Sequence, residues 1–382
     1  MPWDGCEPVT SPAQSTTGKF ATYTPSQVIP STTPAPVLKR KGRPPGSTNK
    51  GKTKSNPAKS KNPSAKKNIP IIKTSNEIQD WRKLVGQWPS NNSIPTALEY
   101  PGICFYGNKF VNGITEIKTK FNFIPVYSGA NALVYKIKLE NETYAIKCFT
   151  QKPHGYDNQK RISEYLKEKN LDFIMIYDTT NTIIVVHENK HISCPILVTQ
   201  WVSGSTLQNY LNEKPLTQIS TIAKNFLSMI SQMENSKIAH GDLQSKNIMI
   251  QTDHSLKLID YDGMYIPELK GKYREEFGLK DYQHPLIKTN KFLNETMDRF
   301  SVIVIYLSLL VLSMNPDWYK KYHDEYNIIF REKDFINPAE SQLFKDISQI
   351  HNSEIKKLNT ELKKYCNSKE FNNFKTIDEI LA

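Results

Sequence analysis

The chain has 382 residues, enough for one large domain or two small ones, and a formal charge of +12. Residues 1–70 hold twelve bases against two acids, so this stretch carries +10 and the remainder only +2; the basicity belongs to a tail and says little about the folded part. The five cysteines (Cys6, Cys104, Cys148, Cys194 and Cys366) are scattered and form no CxxC pair, which argues against a disulfide framework or a zinc site and for a reducing compartment.

The opening "MPWDGCEPVT" lacks the apolar core of a signal peptide. Residues 1–70 are rich in Pro, Ser, Thr, Asn and Lys and poor in large apolar side chains, so they are expected to be disordered: too little surface can be buried to offset the ordering entropy. Between 69 and 125 the signals are mixed, with "NEIQDWRKLVGQW" suggesting a short helix and "ICFYGNKFV" an edge strand. From 121 the pattern sharpens. "ANALVYKIKL" and "TYAIKCF" are β-branched and aromatic runs joined at "ENE", which predicts a hairpin. "QKRISEYLKEKN" has helical spacing, and the run from Ile174 to Val202 reads as three short strands. Thereafter the chain turns helical: "SGSTLQNYL" opens on cap residues, "LTQISTIAKNFLSMISQMENSKI" is a long amphipathic helix, and 298–312 is a very apolar one. Its core, Val302–Leu312, is too short to span a bilayer, so no membrane partner is expected. The remainder to 382 reads as surface helices. A β-rich half followed by an α-rich half predicts two lobes with a cleft, of α+β class.

The chemistry concentrates in "HGDLQSKNIMI" (240–250) and "KLIDYDG" (257–263). Carboxylates at the ends of apolar strands need a reason. Two short strands would bring Asn247 and Asp260 side by side, and an amide oxygen beside a carboxylate suits Mg²⁺, a hard ion that keeps phosphate oxygens as partners. Asp242, just upstream, is placed to orient or deprotonate an attacking hydroxyl. Lys147, within the apolar strand "AIK", needs a counter-charge, which a nucleotide's phosphates would supply.

Taken in order, Ala145-Ile146-Lys147, His240-Gly241-Asp242 with Asn247, and Asp260 resemble the protein-kinase signature set over about residues 121–312. More narrowly, "YSGANALVYKI", "AIKCFTQ", "WVSGSTL", "HGDLQSKN", "LIDYDGMYIP", "YQHP" and "DRFS" resemble the YegI-like group of bacterial stand-alone kinases. The resemblance implies a two-lobed protein-kinase-like fold that binds ATP and Mg²⁺ and acts on a protein substrate, itself included. It implies that Lys147 holds the α- and β-phosphates, that Asp242 is the catalytic base, and that Asn247 and Asp260 bind metal. Thr199, Gln200 and Val202 would border adenine, Gly129 and Val134 would belong to the nucleotide loop, and Asp298 would anchor the catalytic loop from below. Glu164, with Glu168 as rival, would pair with Lys147. His240 and His284 would be structural. The departures are a nucleotide loop with one glycine, Gly241 in the place of an arginine, Gln244 in the place of a lysine, Asp262 in the place of a glycine, and Lys246, which would reach the transferred phosphate. "HGD" also resembles aminoglycoside and choline kinases, so a small-molecule kinase and a catalytically silent scaffold stay open as alternatives.

In the tail, "KRKGRPPGSTNK" (39–50) resembles an AT-hook, with Lys39, Arg40, Lys41, Gly42, Arg43 and Pro44 as the DNA-binding set. An extended backbone without bulk at Gly42 would let Arg43 enter the narrow minor groove of AT-rich DNA while the lysines meet phosphate. A generic basic linker or a localisation signal is the competing reading. The expected organisation is a tail (1–70), an extension (71–120), a β-rich lobe (121–202) and a helical lobe (203–382). The expected location is cytoplasmic, at the nucleoid in a bacterium or in the nucleus of a eukaryote.

Overall fold

The structure, a computed structural model, describes residues 72, 74–115, 126–128, 131–371 and 373–382. All belong to one compact unit, Lys67–Ala382. The hook-like run 39–44 and Gly129 lie outside the described residues.

Eight strands make the sheet of the first lobe: β1 (Ile78–Asp80), β2 (Ile114–Thr115), β3 (Tyr127–Ser128), β4 (Ala132–Leu139), β5 (Glu142–Phe149), β6 (Tyr177–Asp178), β7 (Thr182–His187) and β8 (Lys190–Gln200). The backbone order is β1-β8-β5-β4-β2, with β3 on β4 and both β6 and β7 on β8. The predicted hairpin is β4–β5, turning at Glu140, whose φ of 54° is the kind of left-handed turn a two-residue loop uses. Strand alternation sends Tyr135, Ile137, Ile146 and Cys148 into the core and leaves Lys147 on the opposite face, paired in register with Val134 on β4 and Leu197 on β8.

Two expectations before residue 115 are corrected. "NEIQDWRKL" is not a helix: Ile78–Asp80 is a strand paired in parallel with β8, flanked by single 3₁₀ turns, because pairing to an existing edge is available to so short a segment. "ICFYGNKFV" is not a strand: helices α1 (Ser93–Leu98) and α2 (Pro101–Cys104) precede a 3₁₀ turn at Lys109–Asn112. Pro101 starts α2, Gly107 at φ 73° breaks the chain, and the Asn108 side chain accepts from the Phe110 N–H to start the next turn.

Helix α3 (Tyr156–Lys169) packs beside the sheet, closed at its C-terminus by left-handed Asn170. A second sheet of three strands, β9 (Ser205–Thr206), β10 (Ile248–Ile250) and β11 (Leu256–Leu258), opens the helical lobe. Around it stand α4 (Leu207–Glu213), α5 (Ile219–Asn235), α6 (Arg299–Met314), α7 (Trp318–Tyr322), α8 (Glu332–Ile336), α9 (Gln342–Ile347), α10 (Ser353–Cys366) and α11 (Ile377–Leu381). The hydroxyl of Thr206 caps α4. Helix α6 is buried on every side from Phe300 to Leu309, which explains its lack of a polar stripe. It packs against α5 and α10. The last stretch is less superficial than expected, since Phe330, Phe335 and Phe344 are fully buried. Each such side chain contributes about 1.5–3 kcal/mol of burial. Among the described residues, no helix is long and apolar enough to cross a membrane. A β-rich lobe joined to a helical one is the α+β, two-lobed kinase-like architecture expected.

Candidate active site

The hairpin β10–β11 sets the frame. Ile248 pairs with Leu258, and the Ile259 N–H donates to the Asn247 carbonyl at 3.0 Å, so the residues just before β10 and just after β11 lie together. Beneath them the buried Asp298, at the start of α6, accepts from the His240 N–H and from the Gly241 N–H at 2.9 Å. Burial pushes its carboxyl up despite these donors. His240 is fully buried, and one ring nitrogen, Nε2, bonds the Ile259 carbonyl at 2.9 Å. His284 accepts from the Leu286 N–H through Nδ1 at 3.0 Å, so Nε2 carries the proton and donates to the Tyr365 carbonyl at 2.8 Å; burial pushes its pKa down.

Gly241 is required here. Its φ is 83°, and a Cβ would run into the Gly263 carbonyl oxygen of the neighbouring loop. Arg274 donates to the Gly241 carbonyl at 3.1 Å. Nothing in the sequence pattern singles out Arg274.

Asp242 is held by amides. Its Oδ2 accepts from Gln244 Nε2 at 2.6 Å and Asn247 Nδ2 at 3.1 Å, and Asn247 Nδ2 also donates to the Asp242 carbonyl at 2.8 Å. Gln244, standing in the place of a lysine, thus orients Asp242 through a neutral amide. Asp242 Oδ1 is buried without a partner, and a Cβ on Gly278 would lie 2.6 Å from it. Burial raises the Asp242 pKa. Gln283, 2% exposed, has both amide atoms unpartnered beside the same spot. Glu276 reaches the first lobe, accepting from Asn131 at 2.7 Å.

Lys147 faces the loop after β11. Its Nζ lies 2.5 Å from Asp260 Oδ1 and 2.7 Å from Asp262 Oδ2. Burial opposes its charge, but the two carboxylates hold the ammonium above the ordinary lysine range. Burial would raise Asp260 as well, yet Lys147 leaves it lowered; for Asp262, burial together with the charge of Asp260 outweighs Lys147 and leaves it raised. Asp260 adopts φ 69°, a left-handed conformation costly for a non-glycine residue, about 1–3 kcal/mol, and typical of sites that must aim a side chain.

Glu164 corrects the expectation: it is 60% exposed, pairs with Lys160 at 3.8 Å and lies away from Lys147, while Glu168 is exposed too. Helical periodicity is the reason, since Ile162 and Leu166 define the buried face and Glu164 falls opposite. The Lys246 amine lies over the Tyr326 ring at 4.3 Å, and burial lowers its pKa. Thr199 and Gln200 end β8, opposite Ala145 and Tyr144, and Val202 follows on the link to β9.

Among the described residues no three of His, Cys, Asp or Glu form a preformed metal cage. The donor set still fits Mg²⁺ supplied with phosphate: Asp260 is 45% exposed, Asp262 Oδ1 is an unpartnered buried oxygen, and the Asn247 amide is fixed through Nδ2, which leaves its oxygen facing the other way.

A lysine on a sheet lobe faces two loop carboxylates, and an aspartate–asparagine pair stands on the helical lobe below: this is the constellation of a nucleotide phosphotransferase. Residues 126–381 match the protein kinase domain, and the chain belongs to that family. It is similar to death-associated protein kinase 2 of Homo sapiens, 27% identical over 195 residues that cover 48% of this chain and 52% of that one. It is also 27% identical over 200 residues to the probable serine/threonine-protein kinase mkcF of Dictyostelium discoideum, covering 51% and 28%. A probable LIM domain-containing serine/threonine-protein kinase of the same organism is 25% identical over 186 residues, covering 47% and 28%. The chain therefore spans about half or less of the length of these relatives.

Proposed function

We propose that this chain transfers the terminal phosphoryl group of ATP to serine or threonine hydroxyls of proteins, including its own, and that it is nearest in kind to the YegI-like kinases. The ion pair of Lys147 with the loop of Asp260, beside the amide-held Asp242, carries this reading. Lys147 binds the α- and β-phosphates. Asp242, its orientation set by Gln244 and Asn247, accepts the proton of the attacking hydroxyl. Mg²⁺, held by Asp260 and Asn247, would supply charge neutralisation on the transferred phosphate. Thr199, Gln200 and Val202 border the adenine, with Val134 above it. Activity is tested by incubating the purified chain with Mg-ATP and mapping phosphate by mass spectrometry. Phosphoserine or phosphothreonine that disappears in Asp260→Asn is expected; no incorporation into the chain or an added protein would leave a silent scaffold, and transfer only to small hydroxyl compounds would leave a small-molecule kinase.

The same proposal extends to the tail: residues 39–50 tether a cytoplasmic kinase domain to AT-rich DNA at the nucleoid or in the nucleus, with 1–70, 71–120, 121–202 and 203–382 as the working divisions. The charge of +10 over 1–70 supports it. A peptide of residues 36–68 should bind A·T duplex with an affinity that falls steeply with salt, by about −0.9 in the log–log slope for each phosphate neutralised. Equal affinity for G·C duplex would reduce the segment to a basic linker.

A further inference from the structure

We infer that the exposed rings of Tyr273 and Phe292 form a docking platform for the proline-rich stretch 8–37 of the same chain, and that this stretch is the segment the kinase phosphorylates in itself. The phosphorylation rests on the phosphotransfer reading; the docking does not.

A short antiparallel ladder builds the platform. The Arg274 N–H donates to the Lys291 carbonyl at 2.9 Å and the Leu293 N–H to the Lys272 carbonyl at 2.8 Å, with Tyr273 opposite Phe292 between them. Alternation turns Arg274 and Leu293 inward, where both are buried, and turns the two rings out. The ring centroids lie 4.8 Å apart, with the planes at 46°. Tyr273 is 70% exposed and Phe292 46%, and among the described residues this is the only aromatic contact in which both rings are exposed. The inner side of the ladder reaches the catalytic loop, because Arg274 donates to the carbonyl of Gly241, the residue before Asp242.

Three properties of the chain select the occupant. Composition is the first: residues 8–37 contain Pro8, Pro12, Pro25, Pro30, Pro34 and Pro36. Closely spaced prolines favour the extended polyproline form, which exposed aromatic rings receive at small entropic cost. Charge is the second. Along the chain on either side of the two rings, exposed Lys270, Lys272, Lys288 and Lys291 outnumber exposed Glu268, Glu275 and Glu295. Residues 38–70, with eleven bases and no acid, are not drawn to such a surface, whereas 8–37 carry Lys19 alone. Reach is the third. Residues 38–71 join the stretch to the first described residue and span about 110 Å when extended. A folded unit of this size has a radius of gyration of only about 20 Å.

The consequence is a substrate held beside its catalyst. Eleven residues of the stretch are serine or threonine, and Ser11, Thr24 and Thr33 directly precede a proline, so docked prolines would set a hydroxyl in register with Asp242. The hydroxyl oxygen bonds to the terminal phosphorus of ATP, the bond from that phosphorus to the bridging oxygen of the departing ADP breaks, and the hydroxyl proton passes to Asp242.

Docking is tested without nucleotide or metal, by amine cross-linking of the full chain at low concentration and mass spectrometry. Lys19 should join Lys270, Lys288 or Lys291 at least fivefold more often than Lys345 on α9 or Lys356 on α10. The double variant Tyr273→Ala, Phe292→Ala should lose that preference, and Tyr273→Phe should keep it. A second variant leaves the folded unit untouched: Pro25→Ala, Pro30→Ala, Pro34→Ala, Pro36→Ala should lose the same links. Links spread evenly over the surface overturn the inference, as do links indifferent to both variants. Links found only between light and heavy chains in an isotope-mixed sample overturn it in favour of the tail of a second copy. With Mg-ATP, the share of incorporated phosphate that falls in 8–37 should drop at least fivefold in the Tyr273→Ala, Phe292→Ala variant; an unchanged share, or none in 8–37 of the parent, overturns the substrate assignment. A chain that incorporates no phosphate anywhere would sink the proposed activity and the substrate assignment with it, while the cross-links would still decide the docking.

Discussion

The core around α6 and the loops above it are built on opposite rules. In α6 the side chains from Phe300 to Leu309 are all buried, and its two buried serines, Ser301 and Ser308, each donate to a carbonyl. A few ångströms of chain away, the loops bury Asp242 Oδ1, Asp262 Oδ1, Gln244 Oε1, one Arg274 nitrogen and both ends of Gln283 without partners. Such atoms cost stability, and the apolar core offsets the cost. The contrast is between α6, whose buried hydroxyls are satisfied, and the loops around Asp242 and Asp262, where several polar atoms are left without a partner.

The sharpest way to break this comparison is Asp242→Asn. Turnover should fall by about a thousandfold, since proton acceptance and charge are both lost, while the melting temperature stays equal or rises because a buried charge has gone. Lower stability, measured by calorimetry, would show that Asp242 also holds the fold. The mirror experiment is Leu309→Ala in α6, which should cost about 2–5 kcal/mol in denaturant unfolding yet leave turnover per folded molecule close to the parent's. A selective loss of turnover would mean that the two regions are not separable.

A smaller effect is pH-dependent. The Asp242 carboxyl is raised by burial, so the acid limb of kcat/KM should lie above the ordinary aspartate value of about 3.9. The folded state then binds this proton more tightly than the unfolded one, and stability attributable to Asp242 should decline as pH rises through that window. Melting curves of Asp242→Asn against the parent should converge at low pH and diverge, with the variant higher, above it. The smallest effect belongs to the scaffold. Hydrogen bonds from Lys321 and then Tyr322 hold Asp346 down to about 2, so its contribution is present above the ordinary aspartate range and is lost as pH falls toward 2. Asp346→Asn should flatten that final acid loss and leave neutral pH nearly untouched.

Much of this is written in the chain. The hairpin β4–β5 is legible because two β-branched and aromatic runs meet at a polar turn, α5 because its apolar spacing runs for four turns, and α6 because it is apolar almost throughout. The loop chemistry of Asp242, Asn247 and Asp260 is legible because a carboxylate set against an apolar strand needs a cation or a proton to hold. The region 74–112 is not, since its elements are three to six residues long and owe their form to the edge of β8 and to Pro101 and Gly107. Glu164 is the wrong partner for Lys147 although the face is readable: Ile162 and Leu166 point inward, and a residue two from each must point out. Arg274 and Glu276 leave no local signal, because what matters about them is which loop they meet across more than thirty residues of chain.

The contact of Gly241 with Gly263 limits which neighbours in sequence space this protein can reach. A single change to arginine at 241 would drive its Cβ into the carbonyl of 263, and the Gly241 carbonyl is itself held by Arg274. Converting the loop would take several steps in a set order: withdrawal of the backbone at 263, adjustment of the loop that Arg274 ties to the Gly241 carbonyl, and only then the new side chain. Each intermediate would carry a distorted loop after Asp260 and so a misaimed carboxylate. A library that randomises these three positions together can cross that barrier, whereas one that changes them singly should return glycine at 241 every time.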